Sequence, residues 1–161
     1  MRRKEFLKFM LASLLVPRLG LGAPTKDPGL FAGDEERTVK ALLDMIWPGC
    51  LEYHAYPFLQ RWLKTPGFEK VLDYFNEHLG RLMNLCRERH QEAFPELDDA
   101  QKAALLDEMY ENSRSFYNLL LRADLMAVFG DPANGVNPGK RSWQLIGYHP
   151  GSQLPFAHLE Y

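Results

Sequence analysis

From Asp34 to about position 130, apolar residues return at spacings of three and four, the signature of helices with one buried face. Asp34 stands where an N-cap belongs, and Val39, Leu42, Leu43, Ile46 and Trp47 form the first stripe, ended by Pro48-Gly49. A short second element around Phe58 to Leu63 carries Phe58, Leu59, Trp62 and Leu63 and stops at Thr65-Pro66-Gly67. The third is the longest: Phe68, Val71, Leu72, Phe75, Leu79, Leu82, Met83 and Cys86 share one stripe, with Glu69, Lys70, Asp73, Asn76, Glu77, Arg81 and Arg87 on the other face. Phe94-Pro95 breaks the run, and Asp98-x-x-Gln101 reads as a capping box for a fourth helix through Ala103, Leu106 and Tyr110. The fifth helix, from about Arg114 to Phe129, is apolar on every side and must be covered all round, by its own bundle or by another protein. No stretch alternates with period two long enough for a sheet. The pattern predicts an all-α fold, an irregular bundle of about five helices with an extended, turn-rich C-terminal arm. It divides the chain into an N-terminal segment 1–23, a Pro/Gly-rich linker 24–33, a helical domain 34–129 and an arm 130–161.

Composition changes this picture at the N-terminus. The 161 residues are 46% hydrophobic, enough for a real core in one domain. Segment 1–23 holds five of the 19 Lys and Arg and one of the 21 Asp and Glu, so the rest carries 14 basic against 20 acidic side chains. A body of that sign has no footprint for a phosphate backbone, which argues against nucleic acid as a partner. Within the segment, Arg2, Arg3, Lys4 and Lys8 precede the apolar run from Phe9 to Val16, and Gly20, Gly22 and Ala23 follow, the order of an export signal. Arg2, Arg3, Lys4, Phe6, Leu7 and Lys8 resemble the twin-arginine signal that is read on folded cargo, although counting back from Phe6 places the pair at Arg3-Lys4, one residue beyond the actual pair. The same segment also reads as an uncleaved amphipathic helix on a membrane surface.

Candidate chemistry is sparse. Cys50 and Cys86 form an even pair, and in an oxidising compartment they permit one disulfide as readily as two buried thiols. Cys86 and His90 are four apart on one helix, with His78 eight residues before Cys86, which gives an incomplete set of metal ligands; packing of Cys86 as a small hydrophobe is the competing account. Asp131, Asn134 and Asn137 suggest a calcium loop, but Ala133 occupies a position where the EF-hand pattern needs oxygen, and these residues are ordinary turn makers beside Gly and Pro. No Cys-x-x-Cys-His string is present for haem attachment, and no Gly-x-Gly-x-x-Gly fingerprint for a dinucleotide, so no cofactor is expected in this chain. The aromatic residues remain. Arg141 and Trp143 on an arm beyond the bundle suit an interface hot spot; the competing expectation is that Trp143, Leu145 and Ile146 fold back onto the bundle.

One stretch carries a specific likeness. The apolar helix ending in Phe129-Gly130-Asp131-Pro132, the Gly/Asn loop to Gly139, the strip Trp143-Gln-Leu-Ile-Gly147 and the Pro150-Gly151 close resemble the C-terminal half of the gluconate 2-dehydrogenase subunit 3 family. The resemblance implies a non-catalytic small subunit that binds, stabilises and helps export a large FAD-dependent dehydrogenase subunit of the glucose-methanol-choline type. It further implies that FAD sits in that partner, that a cytochrome c subunit or a quinone takes the electrons, and that the complex lies in the periplasm on the outer side of the cytoplasmic membrane. Export machinery would be a second, transient partner. Phe116, Tyr117, Leu120, Phe129, Arg141, Trp143 and Tyr148 are then expected at or near the partner interface. The final stretch 152–161 has no counterpart in the family's usual ending. A small helical metal-binding protein built on His78, Cys86 and His90, and a membrane-surface scaffold, are the alternatives the residues leave open.

Overall fold

A computed structural model describes residues 29–148. The export-signal residues Arg2, Arg3, Lys4, Phe6, Leu7 and Lys8, and the Pro150-Gly151 close, lie outside this range. The helices are α1 (Asp34–Ile46), α2 (Ala55–Leu63), α3 (Glu69–His90), α4 (Asp99–Asn112), α5 (Arg114–Phe129) and a short α6 (Arg141–Leu145). Single 3-10 turns at Cys50–Tyr53, Phe94–Glu96, Pro132–Asn134 and Pro138–Lys140 join them, and no strand occurs among the described residues. None of the described helices is long and apolar enough to cross a membrane. The all-α architecture expected from periodicity is the one observed.

Local signals explain most of the boundaries. The capping box at α4 forms as the sequence predicts: Asp98 accepts from the Gln101 backbone N–H at 2.8 Å, and the Gln101 side chain accepts from the Asp98 N–H at 3.0 Å. At α1 the cap is Gly33, and Asp34 is the first helical residue. Asp34, Glu35 and Glu36 there place negative charge beside the unpaired N–H groups of the first turn, which favours the helix without a side-chain cap. Phe31, placed by composition in the linker, is buried against Phe75 with ring centroids 5.3 Å apart, and the Leu30 N–H donates to Gln60 Oε1. Linker composition concealed it because Gly29, Ala32 and Gly33 flank it and leave no periodicity to read.

The core answers the question raised by α5. Helices α1, α2, α3, α4 and α6 all pack on it, as does the Cys50–Tyr53 turn. Phe116, Leu119, Leu120, Ala123, Ala127 and Val128 are buried, and Ala123 and Ala127, one turn apart, keep the helix profile low enough for neighbours to approach. A helix apolar all round is here the axle of its own bundle. Its exposed large apolar side chains, Leu125 and Phe129, lie towards the C-terminus, whereas the exposed Arg114, Ser115 and Asn118 at its start are polar.

Candidate functional site

The five large apolar side chains that stay exposed among the described residues all fall in the stretch 125–148: Leu125, Phe129, Leu145, Ile146 and Tyr148. Leu145 is 80% and Ile146 62% exposed. Leu125 and Phe129 are four apart on α5 and therefore share a face, and the half-buried Trp47 at the end of α1 meets Phe129 edge-on with centroids 5.8 Å apart. Large apolar groups gathered at one end of a small domain are the surface expected of a chain that binds another protein.

A polar clasp holds the arm that carries the last three of these residues. Fully buried Asn137, in the left-handed region at φ 45°, accepts from the Ser142 N–H through Oδ1 at 3.2 Å, and its own backbone N–H donates to the Tyr53 carbonyl at 3.3 Å. Its Nδ2 reaches the Gly130 carbonyl at 3.4 Å. The Ser142 hydroxyl donates to the Val128 carbonyl, and the Trp143 indole N–H to the Phe129 carbonyl at 2.9 Å. The carbonyls left open at the end of α5 are thus filled by arm side chains. Val136 is buried beneath, and a side chain at Gly130 would collide with Val136 and the Met126 carbonyl, so glycine is required there by close approach. The Cys50–Tyr53 turn and α2 grip the loop from the other side: Arg61 donates to the Asn134 carbonyl at 3.0 Å, His54 lies 3.2 Å from the Gly135 carbonyl, and Arg141 pairs with Glu52 at 3.6 Å.

The residues expected at the interface therefore separate. Phe129, Arg141 and Tyr148 are exposed, Tyr117 is half-buried, and Trp143 is buried except for an edge, with Tyr148 packed on its ring at 5.1 Å. Phe116 and Leu120 lie inside the core; Phe116 packs between Phe75 and His78, so neither faces a partner in this arrangement. Both were expected there from the family resemblance and from a helix apolar on every side, and neither tells which side its own neighbours cover. Leu125, Leu145, Ile146 and Trp47 belong to the exposed patch and were not among the expected residues. The signal for Leu145 and Ile146 was present, since apolar residues inside a turn-rich arm too short to bury them are candidates for exposure.

Other sequence candidates take structural roles. Cys50 and Cys86 are both buried and free, and burial raises the pKa of each thiol, so neither is a ready nucleophile. His78 sits 2.9 Å from the Tyr74 carbonyl and His90 3.3 Å from the Gln101 amide, and no group of three or more His, Cys, Asp or Glu among the described residues is placed to hold a metal. Asp131 Oδ1 accepts from the Ala133 N–H at 2.9 Å, the turn-making bond, while Asn137 spends its side chain on the clasp.

One buried ionisable group escaped the sequence reading altogether. Asp124 lies on the inner side of α5 with 0% exposure. Neither of its oxygens has a regular hydrogen-bond partner within the protein; the Cys50 thiol lies beside it without that alignment. Burial pushes its pKa up to about 7; the Cys50 thiol opposes this as a hydrogen-bonding neighbour, and a still smaller repulsion from Asp44 adds to it.

Compared with known proteins, the chain matches the family model described as Gluconate 2-dehydrogenase subunit 3 over residues 33–151. No curated protein and no solved structure matches it.

Proposed function

The chain belongs to the gluconate 2-dehydrogenase subunit 3 family, and from that premise we propose that it is the non-catalytic small subunit of an exported, flavin-dependent dehydrogenase acting on a sugar, sugar acid or polyol. The FAD and the chemistry belong to a large partner subunit, and a cytochrome c subunit or a quinone receives the electrons. The observation that carries this reading is the gathering of Leu125, Phe129, Leu145, Ile146 and Tyr148 at the clasped end of the molecule. This end is the face for the large subunit: exposed apolar groups with Arg141 and the Trp143–Tyr148 pair at hand, the residue types that dominate interface hot spots. A partner that folds around FAD must leave the cytoplasm folded, and the basic segment containing Arg2, Arg3 and Lys8 supplies a signal for such cargo. The working location is the periplasm, at the outer side of the cytoplasmic membrane.

The test is gentle purification of the tagged full-length protein from its native host, with a visible spectrum and the masses of co-eluting chains. A larger flavin-bearing protein in constant ratio is the expected result. A colourless chain recovered alone would overturn the reading.

A further inference from the structure

The Cys50–Tyr53 turn is a middle layer between the buried Asp124 of α5 and the clasped arm. On its inner side Cys50, fully buried, abuts the Asp124 carboxyl of α5. On its outer side Glu52, Tyr53 and the following His54 hold Arg141, the Asn137 N–H and the Gly135 carbonyl of the arm. Trp47, which meets Phe129 edge-on, enters the same turn through its carbonyl, which accepts from the Cys50 N–H. Any displacement of the turn by Asp124 is therefore passed to the arm and to the apolar patch.

The geometry points to Asp124 as a proton-operated latch: with its carboxyl neutral the turn seats on α5 and the arm is clasped, and with it ionised the turn lifts and the apolar face loses its shape. This rests on the reading of that face as the partner surface, and adds its regulation. The physical reason is the setting of the charge. The titratable groups facing Asp124 are the Cys50 thiol, from the turn, and the Asp44 carboxylate, from α1; α2, α3, α4 and α6, which also pack on α5, bring no compensating cation to it among the described residues. An unpaired buried carboxylate is costly unless water or a donor reaches it, and opening the turn is the shortest way to admit water. Asp44 offers no relief, because it is an acid rather than a cation and its Oδ1 already accepts from the Gly49 N–H at 2.8 Å. Deprotonation releases the proton to that entering water, and reprotonation takes it back from solvent.

The latch is tested on the full chain alone by NMR, following the Asp124 carboxyl carbon together with the Trp47 and Trp143 indole signals from about pH 5 to about pH 9. The expected result is one shared midpoint near neutrality for all three in the wild type. In Asp124→Asn the indole signals should hold the low-pH position throughout. Indole signals that stay still while Asp124 titrates would overturn the latch, as would an Asp124 midpoint in the ordinary carboxylate range. The wild-type titration needs no variant to fold. A parallel measurement, recovery of flavin-bearing complex at the two ends of the range, should fall about tenfold with rising pH in the wild type and stay nearly level in Asp124→Asn. If the indoles follow Asp124 but no flavin-bearing protein is ever recovered, the latch stands and the dehydrogenase-subunit reading falls.

Discussion

At the residue scale, two buried polar side chains have opposite fortunes. Asn137 is fully used, joining its amide and its backbone N–H to three segments, whereas Asp124 has no regular partner. Asn137→Ala would strand the Ser142 N–H in a buried site and leave at φ 45° a residue without the short polar side chain that makes this left-handed region tolerable, costing about 1–3 kcal/mol. Because only the arm depends on it, the loss should appear as faster amide exchange in 141–145 with α1 to α5 still protected. Asp124 leads to a pH prediction with a definite sign. Its pKa rises from 3.8 to about 7 on folding, so the native state holds a proton that the unfolded chain has already released. Stability from this group is complete below the unfolded value, declines as pH rises through that window, and is gone above about 7. Wild type should lose on the order of 4 kcal/mol between those limits relative to Asp124→Asn, whose denaturation midpoint should show no such slope. Equal slopes in urea titrations of the two proteins would contradict the assignment.

At the element scale, legibility depended on how local the cause was. The α4 boundary was readable to the residue because a capping box is a contract between positions three apart. Asp98→Ala should accordingly cost about 0.5–2 kcal/mol, measured by thermal or chemical unfolding, with Asp99→Ala as the nearby control whose side chain makes no cap bond. The extents of α5 and α2 were close to expectation, since Gly130-Asp131-Pro132 and Thr65-Pro66-Gly67 stop any helix. The short α6 was not foreseen. Five residues do not sustain a helix by propensity, and this one exists because Ser142 and Trp143 are tied to the end of α5.

At the scale of the whole molecule, one end is finished and the other is not. Around α5 the bundle closes on itself, and towards the arm it leaves an apolar face that no described residue covers. Leu145→Ser with Ile146→Ser should therefore leave the unfolding temperature of the isolated chain nearly unchanged, because both side chains already stand in water. The same pair should reduce recovery of the flavin-bearing complex by about tenfold or more, since each large apolar side chain is worth about 1.5–3 kcal/mol when fully buried. A variant that lost stability and complex together would show that the face is structural.

The sequence by itself determined helices α1 to α5, their stops, the absence of a dinucleotide or haem motif and the family, because each of these is written in residues a few positions apart or in a contiguous string. It also marked α5 as a helix needing cover on all sides. Tertiary structure alone decided what supplies that cover, and so moved Phe116 and Leu120 from interface to core and left Leu125, Leu145 and Ile146 outside. It alone brought Cys50 beside Asp124 and Asn137 beside Tyr53, pairs separated by most of the bundle along the chain. The reason is physical: periodicity reports that a face is apolar, but burial is a property of what arrives from elsewhere, and a lone aspartate in a helix acquires its chemistry only when neighbours remove its water.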